Sequence, residues 1–446
     1  MKKRIIQHVE VLDIRVPTSD TLLGSDPFHT KPDYSAVYTI IHCSSGNKGV
    51  SIVFTCGAGN DWIAYGIKQL ISFIKDYAID DFISNPGHKY KEILNHHQLR
   101  WLADGVFRMA LGGIMNALWD LWAKEENVPL WKLLVGLPDN ILIDCIDWRY
   151  LNDALTKKEA AKLLQKNHSI KRSREEELNK SGVAAYLTAG WLGLIDNEIM
   201  DKIKELYEKG FRAFKIKVGN DLARDRKRLA LIRQKFGDDI QLMVDANQIW
   251  GVKEAIDYMK EIADFGLLWI EEPTARDDVL AHQIIARELN AIGIGIAAGE
   301  QIPSPTLFKQ MLTSGALQFC QIDAARMGGV NDVLAVILLA EKYSIPVCPH
   351  GGGIGLCNMI IHFAVWDQIC VIDKVKDNRF VEYIDFLQNG VFMNPIEVVD
   401  GQYTLPKANG WGLEMKEDFI SNYIYPTGKI WRKRKKFFLP PEEKII

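Results

Sequence analysis

Eight short apolar runs alternate with amphipathic stretches between about residues 184 and 386, and this alternation constrains the fold most strongly. The runs are AAYLTAGW, AFKIKV, QLMVDAN, LLWIEEP, GIGIAAGE, FCQIDAA, IPVCPHGG and FVEYIDF. The segments between them have helical periodicity, and each strand–helix unit takes roughly 23–30 residues. This pattern predicts an α/β fold with a (β/α)8 barrel. The competing fold, an open doubly wound sheet, normally has a glycine-rich phosphate turn after its first strand, and the sequence contains no GxGxxG.

The flanking regions predict two further parts. Residues 1–140 contain alternating strand patterns followed by helical ones, which favours an α+β capping domain. The barrel is expected over residues 141–390, and its charged stretch at 150–182 is interpreted as solvated helices. Residues 391–446 are expected to return to the cap and end in the basic run Arg432–Lys436. We interpret this run as a solvated tail; anion binding or a targeting signal is the alternative.

Composition excludes several classes of protein. A net charge of −3 argues against nucleic-acid binding, which requires an extended basic face. The seven cysteines are scattered and form no CxxC, which disfavours a disulfide framework or a thiolate zinc site. The N-terminus lacks a signal-peptide core, and no apolar run approaches the roughly 18 residues of a membrane span. We therefore expect a soluble cytoplasmic protein that does not bind membranes.

Polar residues stand at the ends of the apolar runs, where a barrel builds its active site. They are Lys215, Lys217, Asp245, Asn247, Glu271, Glu272, Glu300, Asp323, His350 and Glu382. Buried strands tolerate charge only when it is paired or bound to a metal. These ends are therefore predicted to meet in one charged cluster.

Three of the carboxylates predict a metal site. Asp245, Glu271 and Glu300 come from successive runs and offer only oxygen ligands, which favours one Mg²⁺ over zinc or copper. The alternative is a salt-bridge network with Lys215 and Lys217.

The two lysines and the histidine predict acid–base chemistry. Lys215 and Lys217 are two residues apart on one strand and share a face. Each is expected to lower the pKa of the other, and a nearby Mg²⁺ to lower it further, which would suit one of them to act as a base. Asp323 could orient His350, although a histidine in an apolar run is often only a satisfied core residue. Asn247 could donate to a substrate oxygen, and Glu382 is expected to face the site from the last strand.

These motifs in this order resemble the mandelate racemase branch of the enolase superfamily. The matching segments are AFKIKVG, VDANQIW, LLWIEEP, AAGEQ, QIDAARMGG and CPHGGG. Outside the barrel motifs, LGSDPFHTKPDYSAVY and FVEYIDFL, among others, are similar to the L-fuconate dehydratases of that branch. Cys56, Ala58, Gly351, Asn358 and Phe386 depart from that pattern, which affects the expected sugar acid more than the reaction class.

The resemblance implies a Mg²⁺-dependent dehydratase that acts on L-fuconate or a related sugar acid. It implies that Asp245, Glu271 and Glu300 hold the metal, that Lys217 removes the proton α to the carboxylate, and that His350, oriented by Asp323, is the second acid/base. The residues that it implies as substrate contacts are Gly24, Ser25, Asp26, Tyr34, Lys215, Asn247 and Glu382. The expected partner is a small sugar acid, and a homo-oligomer is expected by analogy. A racemase or epimerase on the same barrel and a non-catalytic barrel are the alternatives.

Overall fold

The computed structural model describes residues 3–102, 104–373 and 378–434. The chain begins with a three-stranded antiparallel sheet in the order β1 (Ile6–Arg15), β2 (Ser35–Cys43) and β3 (Lys48–Thr55). The 19 residues between β1 and β2 include the turn-rich loop that the sequence predicted, whereas a tight turn joins β2 to β3.

Within the described part of the N-terminal cap, six α-helices follow the sheet: α1 (Gly59–Leu70), α2 (Ile79–Ser84), α3 (Pro86–Leu94), α4 (Val106–Glu125), α5 (Leu130–Gly136) and α6 (Asp139–Asp144). Helix α4 is buried along most of its length and packs on β3. A Cβ atom at Gly49 of β3 would lie 2.2 Å from the Ala117 carbonyl oxygen of α4. Only glycine therefore allows the strand and the helix to approach this closely.

The barrel follows as alternating helices and strands. Its helices are α7 (Lys157–Lys166), α8 (Lys171–Ser181), α9 (Asp196–Glu208), α10 (Leu222–Phe236), α11 (Val252–Glu261), α12 (Val279–Asn290), α13 (Pro305–Thr313), α14 (Val330–Lys342) and α15 (Leu356–Trp366). Its strands are β4 (Val183–Gly190), β5 (Ala213–Lys217), β6 (Gln241–Asp245), β7 (Leu267–Glu271), β8 (Gly295–Ala298), β9 (Phe319–Cys320) and β10 (Val381–Tyr383). Strands β4 to β9 are parallel and adjacent in chain order, and β10 pairs with β4. The predicted α/β barrel with a cap is confirmed.

The segment IPVCPHGG occupies the wall between β9 and β10 with few ladder hydrogen bonds. Val347 bridges Cys320, and the His350 amide donates to the Ile322 carbonyl at 2.9 Å. Two of its residues, Pro346 and Pro349, have no N–H to donate, which explains why the sequence-predicted strand reduces to a bridge. The position of the run in the barrel is nevertheless the expected one.

The C-terminal segment contacts both parts of the molecule. Its elements are β11 (Val398–Val399), β12 (Gln402–Tyr403), α16 (Glu417–Tyr423) and α17 (Lys429–Lys433). Strand β12 pairs antiparallel with β4 of the barrel. Further along, the indole nitrogen of Trp431 donates to the Arg15 carbonyl at 3.0 Å, and the Tyr425 amide donates to the Asp13 carbonyl at 2.8 Å.

Both segments that were predicted to be solvated are so only in part, because each contains an arginine with a partner elsewhere in the protein. In the stretch 150–182, most charged side chains of α7 and α8 are exposed, but Arg174 is buried and donates to the Ile372 carbonyl at 2.7 Å. In the basic run, Arg434 pairs with Asp20 at 2.5 Å, while Lys435 and Lys436 lie outside the described residues. Among the described residues, no helix combines the length and the apolar character that a membrane crossing requires.

His362 of α15 predicts a pH dependence of stability. It is fully buried, its Nδ1 accepts from the Trp131 amide at 3.0 Å, and burial lowers its pKa from 6.5 to about 3. Between pH 6.5 and about pH 3, His362 is protonated in the unfolded chain but neutral in the folded one. Acidification over this range therefore lowers the free energy of unfolding. From pH 7 to pH 5.5 this residue should lower the free energy of unfolding by about 1 kcal/mol.

The measurement is urea unfolding of the wild type, His362→Gln and the exposed-site control His88→Gln at both pH values. The wild type and His88→Gln should lose about 1 kcal/mol more than His362→Gln on acidification. Equal losses in all three proteins would contradict a neutral buried His362.

Candidate active site

Strand β5 brings two lysines into the barrel mouth. Lys215 and Lys217 alternate with apolar residues along the strand and are 1% and 5% exposed. The register of β5 with β6 sets Lys217 beside Asp245, and its Nζ lies 2.6 Å from Asp245 Oδ2 and 2.8 Å from Asn247 Oδ1. Lys215 Nζ lies 2.6 Å from Glu271 Oε1. Both ammonium groups are thus held among carboxylates.

The three acids that were predicted as ligands converge. Asp245 and Glu271 are paired in the register of β6 with β7, and Glu300 follows β8. One oxygen from each of the three lies within 4.8 Å of the others. The second oxygens of two of them are held in place: Asp245 Oδ1 accepts from the Asn247 amide at 2.9 Å, and Glu271 Oε2 accepts from Gln321 at 2.6 Å.

This donor set fits Mg²⁺. It supplies oxygens only, from strand ends whose positions the barrel fixes, and Mg²⁺ prefers a few carboxylates with room left for water and substrate oxygens. Burial and the charge of Asp245 raise the pKa of Glu271, as expected where like charges are forced together. A divalent cation would relieve that repulsion.

The pKa of the lysines shifts opposite to the expectation from the sequence. Burial and the neighbouring lysine do lower the pKa of Lys217, but the charges of the surrounding carboxylates, Asp245 first, together outweigh them and raise it. Burial likewise lowers the pKa of Lys215, and Glu271 and Glu382 outweigh it. The second lysine lowers the pKa of Lys217 as expected, but the carboxylates at hydrogen-bond distance raise it by more. The further lowering expected from a bound Mg²⁺ stays a prediction.

Asp323 and His350 form a hydrogen-bonded pair. His350 Nδ1 lies 2.9 Å from Asp323 Oδ2, and Asp323 Oδ1 accepts from the Ala325 amide at 2.6 Å. Nε2 of His350 therefore faces the site, 3.2 Å from Glu300 Oε2. Burial lowers the pKa of His350, but the surrounding carboxylates, Glu300 first, raise it to about 10. The imidazole holds its proton at neutral pH.

Glu382 is fixed by partners on both oxygens. Oε1 accepts from the Thr188 hydroxyl at 2.7 Å and lies 3.0 Å from Lys215 Nζ, and Oε2 accepts from the Gly351 amide at 2.9 Å. Burial raises the pKa of Glu382, but the charges of Lys215 and His350 outweigh it and lower the pKa. Glu382 therefore stays ionised and bridges the two cationic groups.

The loop between β1 and β2 covers the barrel mouth. Gly24, Asp26 and Tyr34 line the same cavity as the barrel residues, and Gly24 has φ +81° where it passes against the Tyr34 ring. Ser25 does not line the cavity, because its hydroxyl accepts from the Gly193 amide at 3.0 Å and docks the loop on the barrel.

The carboxylate of Asp26 contacts groups within this loop. Its Oδ1 accepts from the amides of Phe28 at 2.8 Å and His29 at 2.5 Å, and its Oδ2 lies 3.0 Å from His29 Nδ1. His29 also lines the cavity, and Nε2 is the ring nitrogen that does not contact Asp26; no sequence motif had indicated this residue.

The cavity measures about 590 Å³ and lies between cap and barrel. The barrel contributes mostly polar side chains, among them Lys217, Asn247 and His350. The cap contributes mostly apolar ones, among them Phe54 and Met109. This division suits a small ligand with one strongly polar end.

Other residues of the site carried weaker signals in the sequence. Thr188 and Gln321 lie within barrel runs, but only the barrel register shows that they touch Glu382 and Glu271. Glu272, the second glutamate of the LLWIEEP run, is buried and has φ +42°, and its Oε1 has no hydrogen-bond partner among the described residues.

Three of the positions that depart from the expected pattern have distinct environments. Cys56 lines the cavity, and the ring centroid of Phe386 lies 5.6 Å from that of Tyr34. Asn358 instead donates to the Gly412 carbonyl at 3.1 Å, a hydrogen bond between α15 and the C-terminal segment.

Comparison with known proteins places the chain in a family. Residues 21–135 match the mandelate racemase / muconate lactonizing enzyme N-terminal domain, and residues 198–419 match the enolase C-terminal domain-like family. The chain therefore belongs to the mandelate racemase / muconate lactonizing enzyme branch of the enolase superfamily.

Two relatives are similar over nearly their whole length. The human protein named mitochondrial enolase superfamily member 1 is 41% identical over 98% of this chain and 99% of its own. Its crystal structure superposes with a TM-score of 0.94, covering 97% of this chain and 99% of that chain. An L-galactonate dehydratase of Hypocrea jecorina is 40% identical over 94% of this chain and 93% of its own.

A more distant structure shares the fold. It is the L-talarate/galactarate dehydratase of Salmonella typhimurium liganded with Mg and L-lyxarohydroxamate, with a TM-score of 0.71 at 24% identity, covering 94% of this chain and 92% of that chain. None of these relatives carries the name of an L-fuconate dehydratase, so the sequence-based expectation of that substrate stays a prediction.

The carboxylate cluster predicts the effect of removing one ligand. Asp245→Asn should weaken Mg²⁺ binding by more than the roughly 10–100-fold that is typical of residues which only orient a ligand. Calorimetric titration with Mg²⁺ measures this change, with the exposed Glu254→Gln as control. Unchanged affinity in Asp245→Asn would contradict the assignment of the three acids as ligands.

Proposed function

We propose that the protein is a Mg²⁺-dependent acid-sugar dehydratase, a hydro-lyase that acts on L-fuconate or a related aldonate. It would remove the proton at C2 and the hydroxyl at C3 to give a 2-keto-3-deoxy acid sugar. The observation that carries the proposal is the position of Lys217 and the Asp323–His350 pair on different walls of one cavity, with the three-acid cluster between them along the barrel. The relatives named as sugar-acid dehydratases support the reaction class.

Asp245, Glu271 and Glu300 would hold Mg²⁺, which when bound offsets the negative charge that develops on the substrate carboxylate as C2 loses its proton. Lys217 is the base. Its Nζ faces Asp245 Oδ2 at 2.6 Å, which favours the ammonium form, so Lys217 becomes a base only when that carboxylate is engaged elsewhere. Cation binding and the basicity of Lys217 are thereby linked through the Asp245 carboxylate.

His350 is the acid. It holds a proton on Nε2, and Asp323 fixes its ring through Nδ1. The C2 proton passes to Lys217 Nζ, the C3–O bond breaks as His350 protonates the leaving hydroxyl, and water departs. The resulting enol then tautomerises to the keto acid. Lys215, Asn247 and Glu382 remain to position the carboxylate and hydroxyl groups of the substrate.

The decisive experiment is a screen of sugar acids for 2-keto acid formation, with Mg²⁺ and with chelator. L-Fuconate, its stereochemical relatives, L-galactonate and galactarate form the panel. We expect a keto acid from L-fuconate or a related aldonate, lost on chelation. Lys217→Met should lower kcat by about 10²–10⁴-fold, with the exposed-site variant Lys253→Met unchanged. No keto acid from any substrate would overturn the proposal.

Racemisation or epimerisation is the second candidate, because an acid/base group on each of two walls also suits two-base proton exchange. Reaction in D₂O separates the two functions. Deuterium at C2 of recovered substrate without keto acid supports epimerisation, and keto acid with deuterium at C3 supports dehydration.

His29 is proposed to bind a hydroxyl on the distal carbons of the substrate. His29 lines the cavity, and because Asp26 holds its Nδ1, Nε2 is the nitrogen that would contact the hydroxyl. His29→Ala should raise KM about tenfold or more, equivalent to about 1.4 kcal/mol, while Mg²⁺ affinity stays unchanged. Steady-state kinetics and Mg²⁺ titration measure both, with His88→Ala as control; a fall in kcat alone would contradict a binding role.

A further inference from the structure

A second group of metal-binding side chains lies on the cap sheet and does not line the barrel cavity. His8 and Glu10 are two residues apart on β1, so their side chains share a face. His42 of β2 is paired with His8 in the strand register. The antiparallel pairing therefore brings two imidazoles and a carboxylate together from segments that are more than 30 residues apart in the sequence.

This group lies on the face of the sheet opposite α4, at a solvent-accessible end of that face. The other face packs on α4, where the Ser51 hydroxyl donates to the Gly113 carbonyl at 2.6 Å. His42 instead lies on the face of Tyr38, and its side chain is 16% exposed, against 43% for Glu10 and 58% for His8. An ion would reach the three side chains from solvent without any opening of the core.

The donor atoms are already close together. His42 Nε2 lies 2.5 Å and His8 Nε2 3.6 Å from Glu10 Oε1, and the two rings stack with centroids 3.9 Å apart. One donor atom from each residue lies within 4.8 Å of the others. Two ligands of one tetrahedral zinc ion lie about 3.3 Å apart, given bonds of about 2.0–2.1 Å. Modest side-chain rotations, chiefly of the exposed His8, would achieve that spacing.

The chemistry of the donors selects the ion. Two imidazole nitrogens and one carboxylate oxygen suit Zn²⁺ or a neighbouring transition metal, whereas the oxygen-only barrel set suits Mg²⁺. Lys48, paired with His42 across β2 and β3, is a nearby cation and tempers the affinity.

We propose that His8, Glu10 and His42 form a surface site for one zinc-like divalent ion, with water completing the coordination. The bound ion would link β1 to β2 at the end of the sheet where the register shifts between Ile6 and His8. It would therefore stabilise the cap without taking part in the chemistry of the barrel.

Calorimetric titration of Zn²⁺ into the full-length protein saturated with Mg²⁺ tests the site. The wild type should bind one equivalent more than His42→Asn, or bind that equivalent at least tenfold more tightly, and Glu10→Gln should resemble His42→Asn. The exposed-site control His88→Asn should match the wild type. Any Zn²⁺ that enters the barrel contributes equally to all four proteins and cancels in the comparison.

A second measurement excludes a folding artefact. Without Zn²⁺, the variants should match the wild type in circular dichroism and Mg²⁺ affinity. With Zn²⁺, the melting temperature should rise more in the wild type and His88→Asn than in the two site variants. Identical isotherms in the wild type and His42→Asn, or equal loss in His88→Asn, would overturn the proposal.

Discussion

The barrel mouth depends on charge compensation between buried acids and buried lysines. Asp245 and Glu271 are fully buried, and each has a lysine Nζ at 2.6 Å. An uncompensated charge at such depth would be costly, and removing one partner of a buried pair typically costs about 3–5 kcal/mol. The acids thus compensate the charge of the buried lysines, and the same oxygens would also bind a metal. This mutual need connects folding with chemistry, because whatever engages the carboxylates changes the protonation of the lysines.

The same principle organises the far side of the site. Glu382 lies between Lys215 and His350, and its two oxygens also accept from Thr188 and the Gly351 amide. Asp323 in turn holds the opposite ring nitrogen of His350. The polar groups therefore form a continuous chain around the barrel wall, and few of them are free to reorient. Such preorganisation is what electrostatic stabilisation of a transition state requires.

The sequence predicted the barrel because its period is regular and its strand ends carry ionisable residues. It also predicted that Asp245, Glu271 and Glu300 would meet, since consecutive parallel strands place their carboxyl ends together. It could not predict the direction of the lysine pKa shifts, because that depends on separations of a few ångströms between Nζ and carboxylate oxygens. The sequence also could not show that both carboxylate oxygens of Asp26 contact groups of its own loop, among them Nδ1 of His29. Nor could it pair His8 with His42, because antiparallel register is a property of the folded sheet.

The return of the chain from barrel to cap has a consequence for the order in which the protein can be completed. Asp120 of α4 accepts from the amides of Val50 and Trp411, each at 2.7 Å, and Trp431 donates to the Arg15 carbonyl. The cap thus receives its last hydrogen bonds from residues that a ribosome makes some 300 residues after Asp120. While the barrel is being synthesised, the nascent cap has an unfilled edge. The cap over the cavity is therefore completed only after the whole barrel has been synthesised.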